Sequence, residues 1–140
     1  MAAPDATKYV SAPNPSSNGS GSYTATLPQA YNYLGLFWGS VDTYNTLVLY
    51  NEGEEVVSFT GTFVANPSVA NGNQSAPGEN FYINFFGLPE FDGFALFSNG
   101  FAFEADNIAV AKLAVAEPST MLLLGLGLVL LGGFGRKRFK

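Results

Sequence analysis

Residues 121–134 read MLLLGLGLVLLGGF, an apolar run without a charge, and it ends in the basic cluster Gly135-Arg136-Lys137-Arg138-Phe139-Lys140. At about 1.5 Å per residue a helix over this run spans roughly 21 Å, short of a hydrocarbon core of about 30 Å. A buried core helix normally keeps one polar face, and this run has none. Its glycines at 125, 127, 132 and 133 each weaken a helix in water by roughly 1 kcal/mol, a penalty that matters less in lipid. The run therefore predicts one short transmembrane helix. Arg136, Lys137, Arg138 and Lys140 keep its far end in the cytoplasm, with residues 1–119 outside. Any folded body is confined to what precedes it.

That body has the composition of strands. Aromatics reach 15% and charged residues only 12%, and Gly, Asn, Ser and Thr fill much of the remainder, which suits short strands joined by tight turns. Residues 12–21 (APNPSSNGSG) are turn chemistry, so residues 1–21 read as loop or linker. Strand-like segments follow at Ser22–Leu27, Tyr33–Gly39, Thr46–Asn51, Glu55–Thr60, Asn80–Phe86, Phe94–Ser98, Phe101–Glu104 and Ile108–Val115. In the first, Tyr23, Ala25 and Leu27 alternate with Ser22, Thr24 and Thr26. Asn51-Glu52-Gly53-Glu54 reads as a hairpin turn, and Asn66–Gly78 as a polar loop. Regular spacing with turn signals predicts an all-β body over residues 22–115, an antiparallel, jelly-roll-like β-sandwich.

The chain has no cysteine and no histidine. That removes disulfides, thiolate nucleophiles, the usual zinc ligands and every histidine-based acid–base mechanism. Lys8 and Lys112 are the only cations before residue 120, against eleven acids, a formal charge of −9 for residues 1–119. An acidic body gains nothing from phosphate backbones, so nucleic acid is not an expected partner.

Between body and apolar run stands Val115-Ala116-Glu117-Pro118-Ser119-Thr120. Pro118 stops the preceding strand, and Ser119 or Thr120 can cap the helix that follows. The order Glu117-Pro118-Ser119-Thr120, a short Gly/Leu helix and an Arg/Lys-rich end resembles the PEP-CTERM signal of exosortase substrates, here over residues 116–140. Ala116 stands where that family usually has Pro. The resemblance implies the membrane protease exosortase as partner, cleavage near Glu117-Pro118, and an inner-membrane intermediate. The body would then reach the surface or matrix of a Gram-negative-type bacterium. A plain membrane anchor is the bland alternative. Export needs an N-terminal signal peptide, and Met1–Lys8 has no apolar core of that kind; the expectation is a fragment whose true start lies upstream.

Tyr33–Leu47, with Ser58-Phe59-Thr60-Gly61, Asn71-Gly72, Phe81-Tyr82-Ile83-Asn84 and Phe101–Ile108, resembles one group of exosortase-dependent cyanobacterial and proteobacterial surface proteins. That resemblance implies a secreted β-sandwich and brings no defined activity.

Two polar clusters invite a functional reading. Trp38, Asp42, Tyr44 and Asn45 have the chemistry of a sugar-contacting edge, aromatic faces for stacking and Asp/Asn for hydroxyls; against it, Trp38 suits a core and Asp42 and Asn45 a turn. Glu104, Asp106 and Asn107 offer hard oxygens for calcium at a jelly-roll edge, but without the spacing of a known calcium loop they suit a capped strand junction better. No cofactor is otherwise expected. No two carboxylates stand out as a glycosidase pair, so the expected function is non-enzymatic: a sorted surface or matrix protein associated with exopolysaccharide. A lectin-like, calcium-dependent glycan module is the alternative, and a carboxylate-based hydrolase the third reading.

Overall fold

The computed structural model describes residues 8–13, 19–65, 79–114 and 123–128. Eight strands form in chain order, with one helical turn among them: β1 (Val10–Ala12), β2 (Gly21–Tyr31), β3 (Tyr33–Gly39), β4 (Asn45–Asn51), β5 (Glu54–Thr60), α1 (Gly61–Val64), β6 (Phe81–Phe85), β7 (Phe91–Ser98) and β8 (Phe103–Ala111). They make two four-stranded antiparallel sheets, ordered β1-β8-β3-β6 and β2-β7-β4-β5. First pairs with last, second with seventh, third with sixth and fourth with fifth, as in a long hairpin rolled up on itself. That is the strand order of a jelly roll.

Alternation decides which side chains meet between the sheets. Leu34, Leu36 and Trp38 of β3, Phe103 and Ala105 of β8, and Ala12 of β1 face Leu47 and Leu49 of β4 and Phe94 and Leu96 of β7. Trp38 and Phe103 stack at 4.2 Å with an 18° tilt between their planes, and Phe59 of β5 meets Phe85 of β6 across the sandwich at 4.4 Å. Burying such aromatics contributes more per residue than any other term in a small β core.

Four elements differ from expectation. β2 begins at Gly21 and runs on to Tyr31, past the expected end at Leu27. Residues 10–12, inside the stretch read as loop or linker, form β1 and pair with Phe103–Ala105. The expected segments 101–104 and 108–115 both overlap one strand, β8, which runs from Phe103 to Ala111. A bulge at Asp106-Asn107 shifts its register against β3, with Asn107 at φ 50°. The extra residue moves the inward set from Phe103 and Ala105 to Ile108 and Val110, so the alternation changes phase in mid-strand. The stretch Phe91–Gly93 also joins β7, ahead of the expected start at Phe94.

Of the apolar C-terminal run, residues 123–128 are described, and they are helical. No helix among the described residues is long and apolar enough to cross a membrane. The remainder of the predicted transmembrane helix lies outside the described residues.

Candidate functional site

Ala116, Glu117, Pro118, Ser119 and Thr120, and the basic Arg136, Lys137, Arg138 and Lys140, lie outside the described residues. What flanks them is informative. In the helical stretch, Leu123, Leu124, Leu126 and Leu128 are all strongly exposed, and a side chain built on Gly125 or Gly127 would meet nothing. These leucines find no seat on the β body.

On the body side, the chain leaves the sandwich under a clamp. Asn32, buried at the corner between β2 and β3, donates from Nδ2 to the Leu113 carbonyl at 2.8 Å and accepts the Leu113 N–H on Oδ1 at 2.6 Å. Its backbone N–H also donates to the Ala111 carbonyl, and its own carbonyl accepts from Leu88. Nothing in the sequence singled out Asn32. Its one signal is position, a lone Asn between two apolar strands where a turn residue is expected.

The turn from β3 to β4 and its flanks hold Trp38, Asp42, Tyr44 and Asn45, but Trp38, Asp42 and Asn45 are buried and Tyr44 is half-buried. The Ser40 N–H donates to Asn80 Oδ1 at 2.8 Å, and Ser40 Oγ donates to Asp42 Oδ2 at 3.1 Å. Asn45 Nδ2 donates to the Ser40 carbonyl at 3.2 Å, and the Asn45 N–H to the Asp42 carbonyl at 3.2 Å. Together these bonds fix Ser40 at φ 54°, a left-handed conformation otherwise unfavourable for Ser. Burial first, then the hydroxyl's hydrogen bond to Asp42 and the negative charge there, push the Tyr44 hydroxyl well above the usual tyrosine range. Trp38 has no exposed surface; both indole faces belong to the core, and none is left for a sugar to stack on. Among the described residues, Trp38 Nε1, Asn45 Oδ1 and the buried Glu79 Oε2 have no hydrogen-bond partner. The cluster has the features of a buried, over-determined turn.

Glu104, Asp106 and Asn107 lie along the outer side of β8. The Asn107 N–H donates to Asp106 Oδ1 at 2.7 Å, tying the bulge. Among the described residues no group of three or more acidic side chains is placed to hold a metal ion.

Two features of the outer sheet faces were not legible beforehand. On the β2-β7-β4-β5 sheet, a cleft of about 440 Å³ runs over Gly93 between Thr24, Thr26, Tyr50 and Asp92; Asp92 accepts the Glu52 N–H with both oxygens at 3.2 Å. On the other sheet, Tyr33, Phe37, Tyr82 and Phe86 surround Gly35. A methyl group on Gly35 would lie 2.5 Å from the hydroxyls of both Tyr33 and Tyr82.

Residues 114–138 match the family model of the PEP-CTERM protein-sorting motif. The match takes in Ala116 to Thr120, the apolar run and Arg136, Lys137 and Arg138, and it begins one residue after the Asn32 clamp. The motif marks the chain as an exported protein sorted through exosortase, which is its implied processing partner. No curated protein and no solved structure matches the chain.

Proposed function

We propose that this chain is a non-enzymatic bacterial surface or extracellular-matrix protein, held in the inner membrane by residues 121–134 until exosortase cuts near Glu117-Pro118. Its body then passes to the cell surface and associates with exopolysaccharide. The observation that carries the reading is the sorting-motif match over residues 114–138. The exposure of Leu123, Leu124, Leu126 and Leu128 on every side of their helical stretch supports the membrane part, because leucines without a protein seat gain about 25 cal/mol for each Å² of apolar surface removed from water. Arg136, Lys137, Arg138 and Lys140 favour the cytoplasmic side for the chain end.

The clamp adds a distance. Leu113 is tied to the sandwich by Asn32, and the four residues from there to Glu117 reach at most about 14 Å. The body therefore stays close to the membrane while the protease acts.

Mass spectrometry of the protein from its native host, beside an exosortase deletion strain, tests this. The expected result is a mature C-terminus near Glu117-Pro118 in the parent and a retained tail in the deletion strain. An intact Lys140 end in both strains would reduce the tail to a plain anchor.

A further inference from the structure

We propose that the outer face of the β1-β8-β3-β6 sheet is a binding platform for a neutral polysaccharide, with Tyr33 and Tyr82 as its stacking surface. The inference deepens the exopolysaccharide association proposed above and rests on that reading.

Register places the residues. β3 and β6 pair Phe37 with Tyr82 and Gly35 with Asn84, and all four belong to the set pointing away from the core. On the other flank β8 sets Asp106 beside Phe37, Ala109 beside Gly35 and Glu104 beside Gly39. The middle row, Ala109-Gly35-Asn84, is low. The rows on either side carry Phe37 with Tyr82, and Tyr33 with Phe86.

Into the low row reach two hydroxyls. Tyr33 sits two residues from Gly35 on one strand and Tyr82 lies diagonally across on the next, yet both hydroxyls come within 2.5 Å of where a Gly35 side chain would start. They meet there only when both rings run along the sheet instead of standing off it. Gly35, on an outer face and without a side chain, is buried as a result. Tyr33 Oη donates to Asn84 Oδ1 at 2.6 Å. Tyr82 and Tyr33 are hydrogen-bonded as well, so the hydroxyls are fixed and the rings with them. Phe86 stands beside this pair, its centroid 5.2 Å from that of Tyr33 and tilted by 45°. Phe86 is 69% exposed and Tyr82 42%.

A sugar ring has an apolar C–H face and a rim of hydroxyls. Flat aromatic rings match the first, and Tyr hydroxyls and Asn84 at the same level match the second. The body that carries this platform is acidic, with a formal charge of −9 over residues 1–119. That charge disfavours uronic-acid and sulfated polymers and leaves neutral sugars unaffected. The ligand class is thus a neutral glycan, read along several sugar units.

The test titrates the full chain, held in a non-sugar detergent, with cellohexaose, laminarihexaose, maltohexaose and an alginate hexamer by calorimetry. At least one neutral hexasaccharide should bind and the alginate should not. Tyr82→Ala should weaken binding about tenfold or more, while Tyr82→Phe, which keeps the ring, should stay within about threefold. Tyr82 is 42% exposed, so both variants should remain folded at the temperature of the titration, which circular dichroism checks. Tyr50→Ala, in the cleft of the opposite sheet, should bind like the parent. The proposal is overturned if no neutral hexasaccharide binds at millimolar concentration, or if alginate binds best. It is equally overturned if Tyr50→Ala rather than Tyr82→Ala abolishes binding, or if Tyr82→Ala changes only self-association, which would assign the face to a second copy. The measurement needs no exosortase, so failure of the sorting reading leaves its outcome interpretable, and its own failure leaves the sorting reading standing.

Discussion

The side-chain amide of Asn32 and the backbone of Leu113 bond to each other twice, donor to acceptor in both directions, at 2.8 and 2.6 Å. The amide thereby acts as one more rung of antiparallel ladder, continuing β8 past Ala111 to the last residue before the sorting motif. Because Asn32 is buried, neither of its polar groups has water to fall back on if Leu113 leaves.

Asn32→Ala removes both bonds and should destabilise the body by about 1–3 kcal/mol. Asn32→Asp keeps the acceptor for the Leu113 N–H but sets a buried carboxylate oxygen against the Leu113 carbonyl, and should cost at least as much as Asn32→Ala. Chemical denaturation reads the stability, and hydrogen exchange at the Leu113 amide reads the clamp. Unchanged Leu113 protection in Asn32→Ala would show that something else holds the junction.

Trp38 is core. Its stack with Phe103 and its complete burial predict a loss of about 3–5 kcal/mol for Trp38→Ala. The gentler Trp38→Phe should leave any glycan affinity within about twofold of the parent at temperatures where both are folded. A larger drop in affinity in the folded Trp38→Phe variant would return Trp38 to the ligand.

Alternation and turn chemistry carried most of the strand reading, because β3 and β4 each keep one phase between clear punctuation. They failed where the phase changes. The bulge at Asp106-Asn107 makes one strand look like two, and β1 is three residues long in a stretch otherwise rich in Pro, Ser and Gly. The sorting tag was legible because its parts are contiguous in sequence and need no fold to bring them together. The outer platform was not, because it depends on register: Tyr33 and Tyr82 are neighbours only through the pairing of Gly35 with Asn84, and the glycine that seats their hydroxyls carries no signal of its own. Residue type alone does not tell whether polar turn residues such as Asp42 and Asn45 face inward or outward, and here both are buried.

Gly61 has no room for a side chain. A methyl group there would stand 1.9 Å from the Asp42 carbonyl oxygen, which is backbone and held in place by the Asn45 N–H. Gly61→Ala should therefore cost about 3 kcal/mol, the upper end for overpacking, and should disturb the β3–β4 turn before the sheets. Loss of amide protection at Asn45 ahead of Leu47 would show it. A variant as stable as the parent would mean that α1 shifts freely away from the turn.

Tyr44 makes the fold sensitive to alkali. Its hydroxyl is pushed above the ordinary tyrosine value, chiefly by burial and then by Asp42. Below about pH 10 both folded and unfolded chains keep the proton, and the contribution to stability is fully present. Above it the unfolded chain releases the proton first, so the contribution is lost as pH rises toward the folded-state value. Unfolding midpoints in urea, taken between about pH 8 and about pH 11.5, should fall more steeply for the parent than for Tyr44→Phe. Part of the slope should survive in that variant, because the Tyr82 hydroxyl is also raised, by burial and by the neighbouring Tyr33. The double variant Tyr44→Phe/Tyr82→Phe should be the flattest of the three. Parallel curves for parent and Tyr44→Phe would mean that the Tyr44 hydroxyl titrates freely, and that its bond to Asp42 does not hold the β3–β4 turn.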